Sequence, residues 1–218
     1  MRALAAEFLA TGLLLAVVVG SGIMGDRLSG GNVAVALLAN SLATGAGLVA
    51  LILTFGPASG AHLNPVVTLA AAATGGIGWR QVPGYVTAQI AGGFGGVVLA
   101  HAMFGLPAFV ASAHERSGFA QALAEAVATA CLVLVVLSCG RHRPTATPFA
   151  VAAMVCAGYW FTSSTSFANP AVTLARAATD TFAGIRAVDV PAFVGAQLVG
   201  AAAAVLVFRW LLVPGERR

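Results

Sequence analysis

Two Asn-Pro pairs stand far apart in the 218-residue chain, Asn64-Pro65 and Asn169-Pro170. Asparagine is a preferred N-cap residue, and proline is preferred at the first position of a helix. Each pair therefore predicts the start of a helix. The apolar run after the first pair covers only residues 66–73, which is too short to cross a bilayer. We expect two half-helices, each beginning at an asparagine whose side-chain amide can donate hydrogen bonds.

The chemistry available to these pairs is recognition rather than catalysis. The N-terminus of a helix carries a partial positive charge, so two N-termini that meet disfavour cations and protonated water chains. A neutral molecule can instead accept hydrogen bonds from the two amides and pass between them. One Asn-Pro pair would be interpreted as an ordinary helix cap, but two pairs in matching surroundings favour a shared functional site.

The surroundings match because the chain contains two copies of one unit. The segments that start at Asn64 and Asn169 are identical at six of seven positions. Two further pairs of segments recur in the same order, so the repeat extends well beyond the motif. The three pairs are residues 6–11 with 124–129, residues 64–70 with 169–175, and residues 85–89 with 193–197.

The composition indicates burial in lipid. Hydrophobic residues make up 59% of the chain and charged residues 8%, whereas an ordinary soluble domain carries roughly 25% charged residues. The sequence therefore predicts an all-α membrane protein of six transmembrane helices plus the two re-entrant half-helices. The candidate spans are residues 4–24, 33–55, 81–104, 118–139, 147–162 and 190–213.

Each copy of the unit holds three spans. Because three is odd, the second copy enters the membrane upside down relative to the first, and an inverted repeat places its site at the midplane where the halves meet. The predicted division is a first repeat over residues 1–104 with its half-helix from Asn64, a linker over residues 105–117, and a second repeat over residues 118–218 with its half-helix from Asn169.

Every basic residue is an arginine, and the arginines are divided unequally between the two ends of the spans. The positive-inside rule then predicts that both termini lie in the cytoplasm. The dispersal of the arginines along the chain argues against nucleic-acid binding. The three cysteines lack metal-ligand spacing, so they indicate neither a disulfide framework nor a zinc site. The cytoplasmic set is Arg2, Arg80, Arg141, Arg143, Arg209, Arg217 and Arg218; the outer set is Arg27, Arg116, Arg176 and Arg186.

Glu7 and Glu125 lie inside predicted spans, at equivalent positions of the two repeats. A carboxylate within a span is costly and marks a functional or structural site. A glutamate near a helix end can also snorkel to the interface, which is the alternative for Glu7 alone. Their recurrence in both repeats favours a common structural role.

These motifs together resemble the aquaporin and aquaglyceroporin family, also called the major intrinsic proteins. The matching residues are Glu7, Gln89, Glu125 and Gln197, with Ser59-Gly60-Ala61-His62-Leu63-Asn64-Pro65 and Asn169-Pro170-Ala171. The resemblance implies a pore in each subunit of a homotetramer, with no cofactor or metal. It also implies that Glu7 and Glu125 are scaffold for the pore loops, and that the pore midplane consists of Asn64, Pro65, Val66, Asn169, Pro170 and Ala171. Val66 departs from the usual Asn-Pro-Ala.

A second departure concerns the selectivity filter. Family members usually carry Arg directly after the second Asn-Pro-Ala, and this chain has Val172 there. Ungapped counting from the motifs carries the other filter positions over to Thr44, Ala157 and Ser166. All four are small or medium and uncharged, which predicts a wide filter, because selectivity depends on pore radius and polar donors. The alternative is that Tyr159 or Trp160 fills the space.

Arg176 lies four residues after Val172, so the two share a helix face. It is expected in the outer vestibule, in an ion pair with Asp180, or in both, since the two interpretations are compatible. The second motif, residues 167–176, resembles a bacterial subgroup associated with arsenic-resistance genes. That resemblance implies the bacterial inner membrane, and arsenite, methylated arsenicals or small polyols as cargo.

Three rival functions remain to be separated. A water-selective aquaporin would need a narrower filter than these residues predict. A secondary transporter would need coupling carboxylates along its pathway, for which Glu7 and Glu125 are the candidates within the spans. An intramembrane hydrolase is suggested by Ser59 and His62, but no third orienting carboxylate is evident. We therefore expect a passive channel for small neutral solutes and no enzymatic activity.

Overall fold

The computed structural model describes residues 1–212, and eight α-helices occur in that part of the chain. Six are the predicted spans, and two are the short predicted half-helices. The architecture expected from the sequence is therefore confirmed. In chain order the helices are α1 (Arg2–Leu28), α2 (Val33–Ser59), α3 (Pro65–Ala73), α4 (Val82–Phe104), α5 (Phe119–His142), α6 (Thr147–Phe161), α7 (Pro170–Arg176) and α8 (Val190–Val207).

The helices α1, α2, α4, α5 and α8 are long and apolar enough to cross a membrane. The helix α6 is shorter, at 15 residues, because the chain leaves the helix at Phe161 and turns back toward Asn169. A 3-10 turn, Pro144–Ala146, precedes it. The last span was predicted to end at residue 213; α8 continues as a π-helical turn, Phe208–Leu212. Val213, Arg217 and Arg218 lie outside the described residues.

The distribution of polar groups is that of a membrane protein. Large apolar side chains such as Leu13, Leu42 and Leu123 are exposed on the outer surface of the bundle, whereas glutamate, glutamine and asparagine side chains are buried inside it. Hydrocarbon can solvate the first group, and the second must find hydrogen bonds within the protein. The polar interior is therefore where the functional groups lie.

Small residues bring the long helices close together. The helix α1 packs on α4, and α5 packs on α8 in the same way. A Cβ atom on Gly96 would collide with the backbone of Gly12, and one on Gly200 would collide with the backbone of Ala126. Membrane helices gain van der Waals contact when small residues let their backbones approach. These glycines therefore set the spacing of each helix pair.

The half-helices lie within the bundle rather than across it. The helix α3 contacts α4, α5 and α8, whereas α7 contacts α1, α4 and α8, so elements of both repeats hold each half-helix. Their N-terminal ends meet, and α3 touches α7. The linker is joined to the segment after α7 by backbone hydrogen bonds from Val110 to Ala178 and from Ser112 to Ala177. We call this end of the bundle the linker side.

We predict that Gly200→Ala destabilises the protein by roughly 1–3 kcal/mol, because the added methyl group overpacks the α5–α8 contact. Gly195 on the same helix is the matched control, since a Cβ atom there meets open space. Gly195→Ala should be neutral or slightly stabilising, because alanine favours the helix. Thermal unfolding in detergent distinguishes the two. Equal melting temperatures for both variants would contradict the role assigned to Gly200.

Candidate functional site: a central pore

The two asparagines cap the half-helices with their side-chain oxygens. Asn64 Oδ1 accepts a hydrogen bond from the backbone N–H of Val66 at 3.0 Å. Asn169 Oδ1 accepts from Ala171 at 3.0 Å and from Val172 at 3.3 Å. Because each oxygen is turned back onto its own helix, each side-chain NH2 group points away from it.

Each NH2 group then bonds the opposite repeat. Asn64 Nδ2 donates to the carbonyl of Ala168, and Asn169 Nδ2 donates to the carbonyl of Leu63, both at 2.8 Å. An amide NH2 group has two hydrogens, so one remains on each asparagine after this crossed pair has formed. Both asparagines line one cavity, where the remaining hydrogens are available to a solute.

The loops before the half-helices have an unusual backbone. Leu63 and Ala168, directly before the two asparagines, have φ angles of 52° and 47°. Ala61 and Ser166 are also left-handed, with φ angles of 47° and 52°. None of the four is glycine, and such conformations cost of order 1–3 kcal/mol each. The surrounding structure must supply interactions that hold the loops in this form.

Glu7 supplies those interactions in the first repeat. Its side chain is 0% exposed. One carboxylate oxygen accepts from the Ser59 hydroxyl at 2.6 Å and from the His62 N–H at 2.9 Å. The other accepts from the Leu63 N–H at 2.8 Å and from Gln89 Nε2 at 2.7 Å. Four donors therefore surround one buried carboxylate.

Glu125 has the same four kinds of donor in the second repeat, and it is also 0% exposed. One oxygen accepts from the Ser164 hydroxyl at 2.6 Å and from the Phe167 N–H at 2.8 Å. The other accepts from the Ala168 N–H at 2.9 Å and from Gln197 Nε2 at 2.6 Å. The expectation that these glutamates accept loop N–H groups therefore agrees with the contacts in both repeats.

Gln89 and Gln197 connect each carboxylate to its half-helix. Gln89 Nε2 also donates to Thr68 on α3 at 2.9 Å, and Gln197 Nε2 donates to Thr173 on α7 at 2.8 Å. The sequence repeat included the two glutamines, but it did not indicate this bridging contact.

We predict that Glu7→Gln or Glu125→Gln lowers the yield of folded protein more than it alters selectivity. A glutamine amide nitrogen cannot accept, so two of the four donors lose their partner at roughly 1–3 kcal/mol each. Glu115→Gln is the matched control, because Glu115 is exposed and pairs at the surface with Arg186 and Ser117. Size-exclusion profiles and melting temperatures report the effect. Parent-like behaviour of either buried variant would refute the scaffold role of that residue.

One cavity of about 230 Å³ extends past the two asparagines, between the repeats. Its wall is mostly apolar, with a few polar groups at intervals. The charged or titratable side chains in this wall are His62, Tyr159 and Arg176, and no carboxylate lines it among the described residues. The polar lining residues are Thr44, His62, Asn64, Thr147, Tyr159, Ser166, Asn169 and Arg176.

Three of the four predicted filter residues, Thr44, Ser166 and Val172, line this cavity. Ala157 does not line it; this residue is exposed on the outer face of α6, which contradicts its predicted place in the filter. The cavity face of α6 carries Val151, Val155 and Tyr159 at intervals of four residues, and on a helix a residue two positions away points to the opposite side. Ungapped counting from Asn169 therefore reached the wrong face.

Tyr159 occupies the space that Ala157 was expected to leave open. Its hydroxyl and that of Thr44 are 3.2 Å apart and hydrogen-bonded, joining α6 to α2. Both side chains are buried. The alternative that Tyr159 fills the filter therefore agrees with the geometry, whereas Trp160 is half exposed and donates to Ser41. The four-residue spacing along α6 was the sequence signal that could have identified Tyr159.

Arg176 is 3% exposed and lines the cavity, which agrees with the expectation that it lies in the outer vestibule. Its Nε donates to the carbonyl of Ala183. The alternative ion pair with Asp180 does not form among residues 1–212, where Asp180 instead accepts from the Ala113 N–H at 2.9 Å. The helix α7 ends at Arg176, so Asp180 is no longer on the same helix face.

The residues that suggested a hydrolase are arranged differently from a catalytic pair. The Ser59 hydroxyl donates to Glu7 rather than to His62. His62 Nδ1 lies 3.1 Å from the Thr68 hydroxyl, and its ring packs on Tyr85 at 5.3 Å between centroids. A nucleophile needs a hydrogen bond to its base, and this pair has none in the described structure.

Comparison with known protein families matches residues 1–155 to "Major intrinsic protein". The chain belongs to the major intrinsic protein family. It is thus an integral, multi-pass membrane channel protein, and the family assignment from the two motifs is confirmed. Its relatives include aquaglyceroporin AqpS of Rhizobium meliloti (strain 1021), 52% identical over 99% of this chain and 92% of AqpS.

Two further matches extend the comparison. A probable glycerol uptake facilitator protein of Thermotoga maritima is 32% identical over 63% of this chain and 64% of its own length. The X-ray structure of the aquaglyceroporin from Plasmodium falciparum superposes with a TM-score of 0.75, covering 98% of this chain and 97% of that one at 23% identity. At that identity the structural match supports the fold alone.

The corrected filter position can be tested directly in proteoliposomes. We predict that Tyr159→Ala raises glycerol permeability relative to water, because Tyr159 is larger than the filter residues Thr44, Ser166 and Val172 that line the cavity with it. Ala157→Leu is the control on the same helix and should leave that ratio unchanged, because residue 157 is on the outer face. The reverse result, with Ala157→Leu restricting glycerol and Tyr159→Ala behaving as the parent, would restore the original assignment.

Proposed function

We propose that this protein is a passive channel for water and for small neutral solutes of glycerol size, with arsenious acid and methylated arsenicals as further candidate cargo. Undissociated arsenious acid is neutral and polyol-like, so the same hydrogen-bonding wall suits both. The observation that carries this proposal is the crossed asparagine pair, which presents two amide donors in a single cavity between the repeats.

The lining of the cavity supports passive conduction over coupled transport. A proton- or cation-coupled transporter needs titratable carboxylates along its pathway. The two candidates, Glu7 and Glu125, are outside the cavity wall, and each is saturated by four hydrogen bonds. The N-termini of α3 and α7 meet beside the asparagines, and their partial positive charges oppose cations.

The proposed filter consists of Thr44, Tyr159, Ser166 and Val172. Three hydroxyl groups and one apolar side chain form a ring that has both donors and acceptors for a polyol. One relative is named an aquaglyceroporin and another a probable glycerol uptake facilitator protein. These names support the proposal that solutes of this class pass the channel. Tyr159 nevertheless makes the ring narrower than Ala157 would, and this observation favours water selectivity as the second candidate function.

We further propose that the chain functions as a homotetramer in a bacterial inner membrane, with both termini in the cytoplasm. The linker side of the bundle would then be the outer side, and Arg176 would lie in the outer vestibule. The inverted repeats, residues 1–104 and 118–218 with the linker at 105–117, would each supply one half-helix to the pore. The matching carboxylate networks of Glu7 and Glu125 support this division.

The filter proposal predicts the effect of restoring the family's arginine. Val172→Arg should reduce glycerol and arsenite permeability sharply while reducing water permeability less, because the side chain narrows the ring and adds a cationic donor. Stopped-flow measurements on proteoliposomes, with Val172→Met as an uncharged control with a long, unbranched side chain, separate charge from size. A parent that passes only water, or a Val172→Arg variant with unchanged glycerol and arsenite flux, would contradict the proposal.

A further inference from the structure

A positively charged side chain lies at the linker-side end of the cavity, whereas the filter position 172 has none. Arg176 lies one helical turn beyond Val172 on α7, and both side chains line the cavity. A turn of helix is about 5.4 Å, a distance that a long arginine side chain can span in either direction. The guanidinium is therefore positioned to act on the same solute as the proposed filter, which includes Val172.

The Arg176 guanidinium is held by stacking and by one hydrogen bond. Its central carbon lies 3.4 Å from the centroid of the Phe167 ring, and its Nε donates to the Ala183 carbonyl. An arginine over an aromatic face is attracted by the ring quadrupole, more strongly when the pair is desolvated. Phe167 is the residue two before Asn169, so the pore loop itself orients this arginine.

A second arginine, Arg116 of the linker, also lies near the Phe167 ring. The central guanidinium carbon of Arg116 lies 4.9 Å from the Phe167 centroid. Its Nε donates to the Gly184 carbonyl at 2.8 Å, and its Nη1 donates to the Ser164 carbonyl at 3.3 Å. Burial lowers the pKa of its guanidinium from the ordinary value, yet an arginine is not deprotonated in proteins. The guanidinium groups of Arg116 and Arg176 therefore both lie near the Phe167 ring.

The nearby carboxylates are committed elsewhere. Asp180 accepts from the Ala113 N–H. Asp189 accepts from the Arg116 N–H and pairs with Arg186 at 3.0 Å, and Glu115 also pairs with Arg186. No carboxylate forms a salt bridge with Arg176 within residues 1–212. Its charge is thus uncompensated by a direct partner there, and the donors beyond Nε remain for the cavity.

We propose that Arg176 replaces the missing cationic donor at position 172 and, from one turn further along α7, limits which neutral solutes pass the linker-side end of the pore. Phe167 and Arg116 are positioning residues that hold it there. Solutes with oxygen acceptors exchange hydration for its N–H groups, whereas bulkier solutes meet its side chain. This inference rests on the proposed function as a neutral-solute channel.

The test is the ratio of erythritol to glycerol permeability in proteoliposomes. Arg176→Ala should raise that ratio by roughly two- to tenfold, because the larger solute then no longer meets the arginine side chain; tenfold corresponds to about 1.4 kcal/mol of barrier. Adding Val172→Arg to Arg176→Ala should bring the ratio back to or below the parent value, because a guanidinium again occupies the pathway. A purely structural role would lower both fluxes together and leave the ratio unchanged.

Arg27→Ala is the matched control. Arg27 also lies over a phenylalanine ring, at 5.1 Å from the Phe104 centroid, but it is outside the cavity wall. Its removal should not change the ratio. If Arg176→Ala does not assemble, Arg176→Gln replaces it and should shift the ratio in the same direction, since glutamine is shorter and uncharged.

The outcomes separate the two proposals. A parent protein that passes no glycerol above empty vesicles would overturn the proposed function itself. A conducting parent whose erythritol-to-glycerol ratio is unchanged in the Arg176 variant, or equally changed in Arg27→Ala, would overturn only the role of Arg176.

Discussion

Two carboxylates buried inside an apolar bundle are the constraint on which the pore depends. Each accepts four hydrogen bonds, two of them from the N–H groups of a loop whose backbone is partly left-handed. A charge in this environment is tolerated only when it is fully hydrogen-bonded. The loop N–H groups in turn have the carboxylates as their hydrogen-bond acceptors. We propose that Glu7 and Glu125 offset their cost of burial by fixing the loop geometry, which aligns Asn64 and Asn169 across the interface between the repeats.

The function follows from that alignment. Each asparagine uses its oxygen on its own half-helix and one N–H on the opposite repeat, so a single oriented donor per asparagine remains for the cavity. Fixed donors in a narrow apolar passage can replace the hydration of a neutral solute without binding it tightly. Charge at the helix N-termini opposes cations at the same depth. We propose that solute size is a separate matter, decided on the linker side by the filter and by Arg176.

The sequence predicts the parts of this structure that depend on local chemistry or on the repeat. The half-helix starts follow from Asn-Pro capping, and the recurrence of the glutamates indicates a shared structural role. The prediction was weakest where helix phase matters. Ala157 was chosen by counting across a loop of unknown geometry. An error of about half a helical turn selected this outward-facing residue instead of Tyr159, which lies two positions further along α6 and lines the cavity. The Arg176–Asp180 pair was wrong for a related reason, because α7 ends at Arg176. The crossed asparagine bonds depend on two loops about a hundred residues apart, and no spacing in the sequence indicates them.

The most direct test of a passive neutral-solute pore is glycerol entry into proteoliposomes, measured with an imposed proton gradient and again with that gradient collapsed, while an enclosed pH dye reports proton movement. A passive pore predicts glycerol entry at the same rate in both conditions, above that of empty vesicles, with no proton movement accompanying it. Glycerol uptake that requires the proton gradient, or a proton leak that rises with the amount of channel, would contradict it.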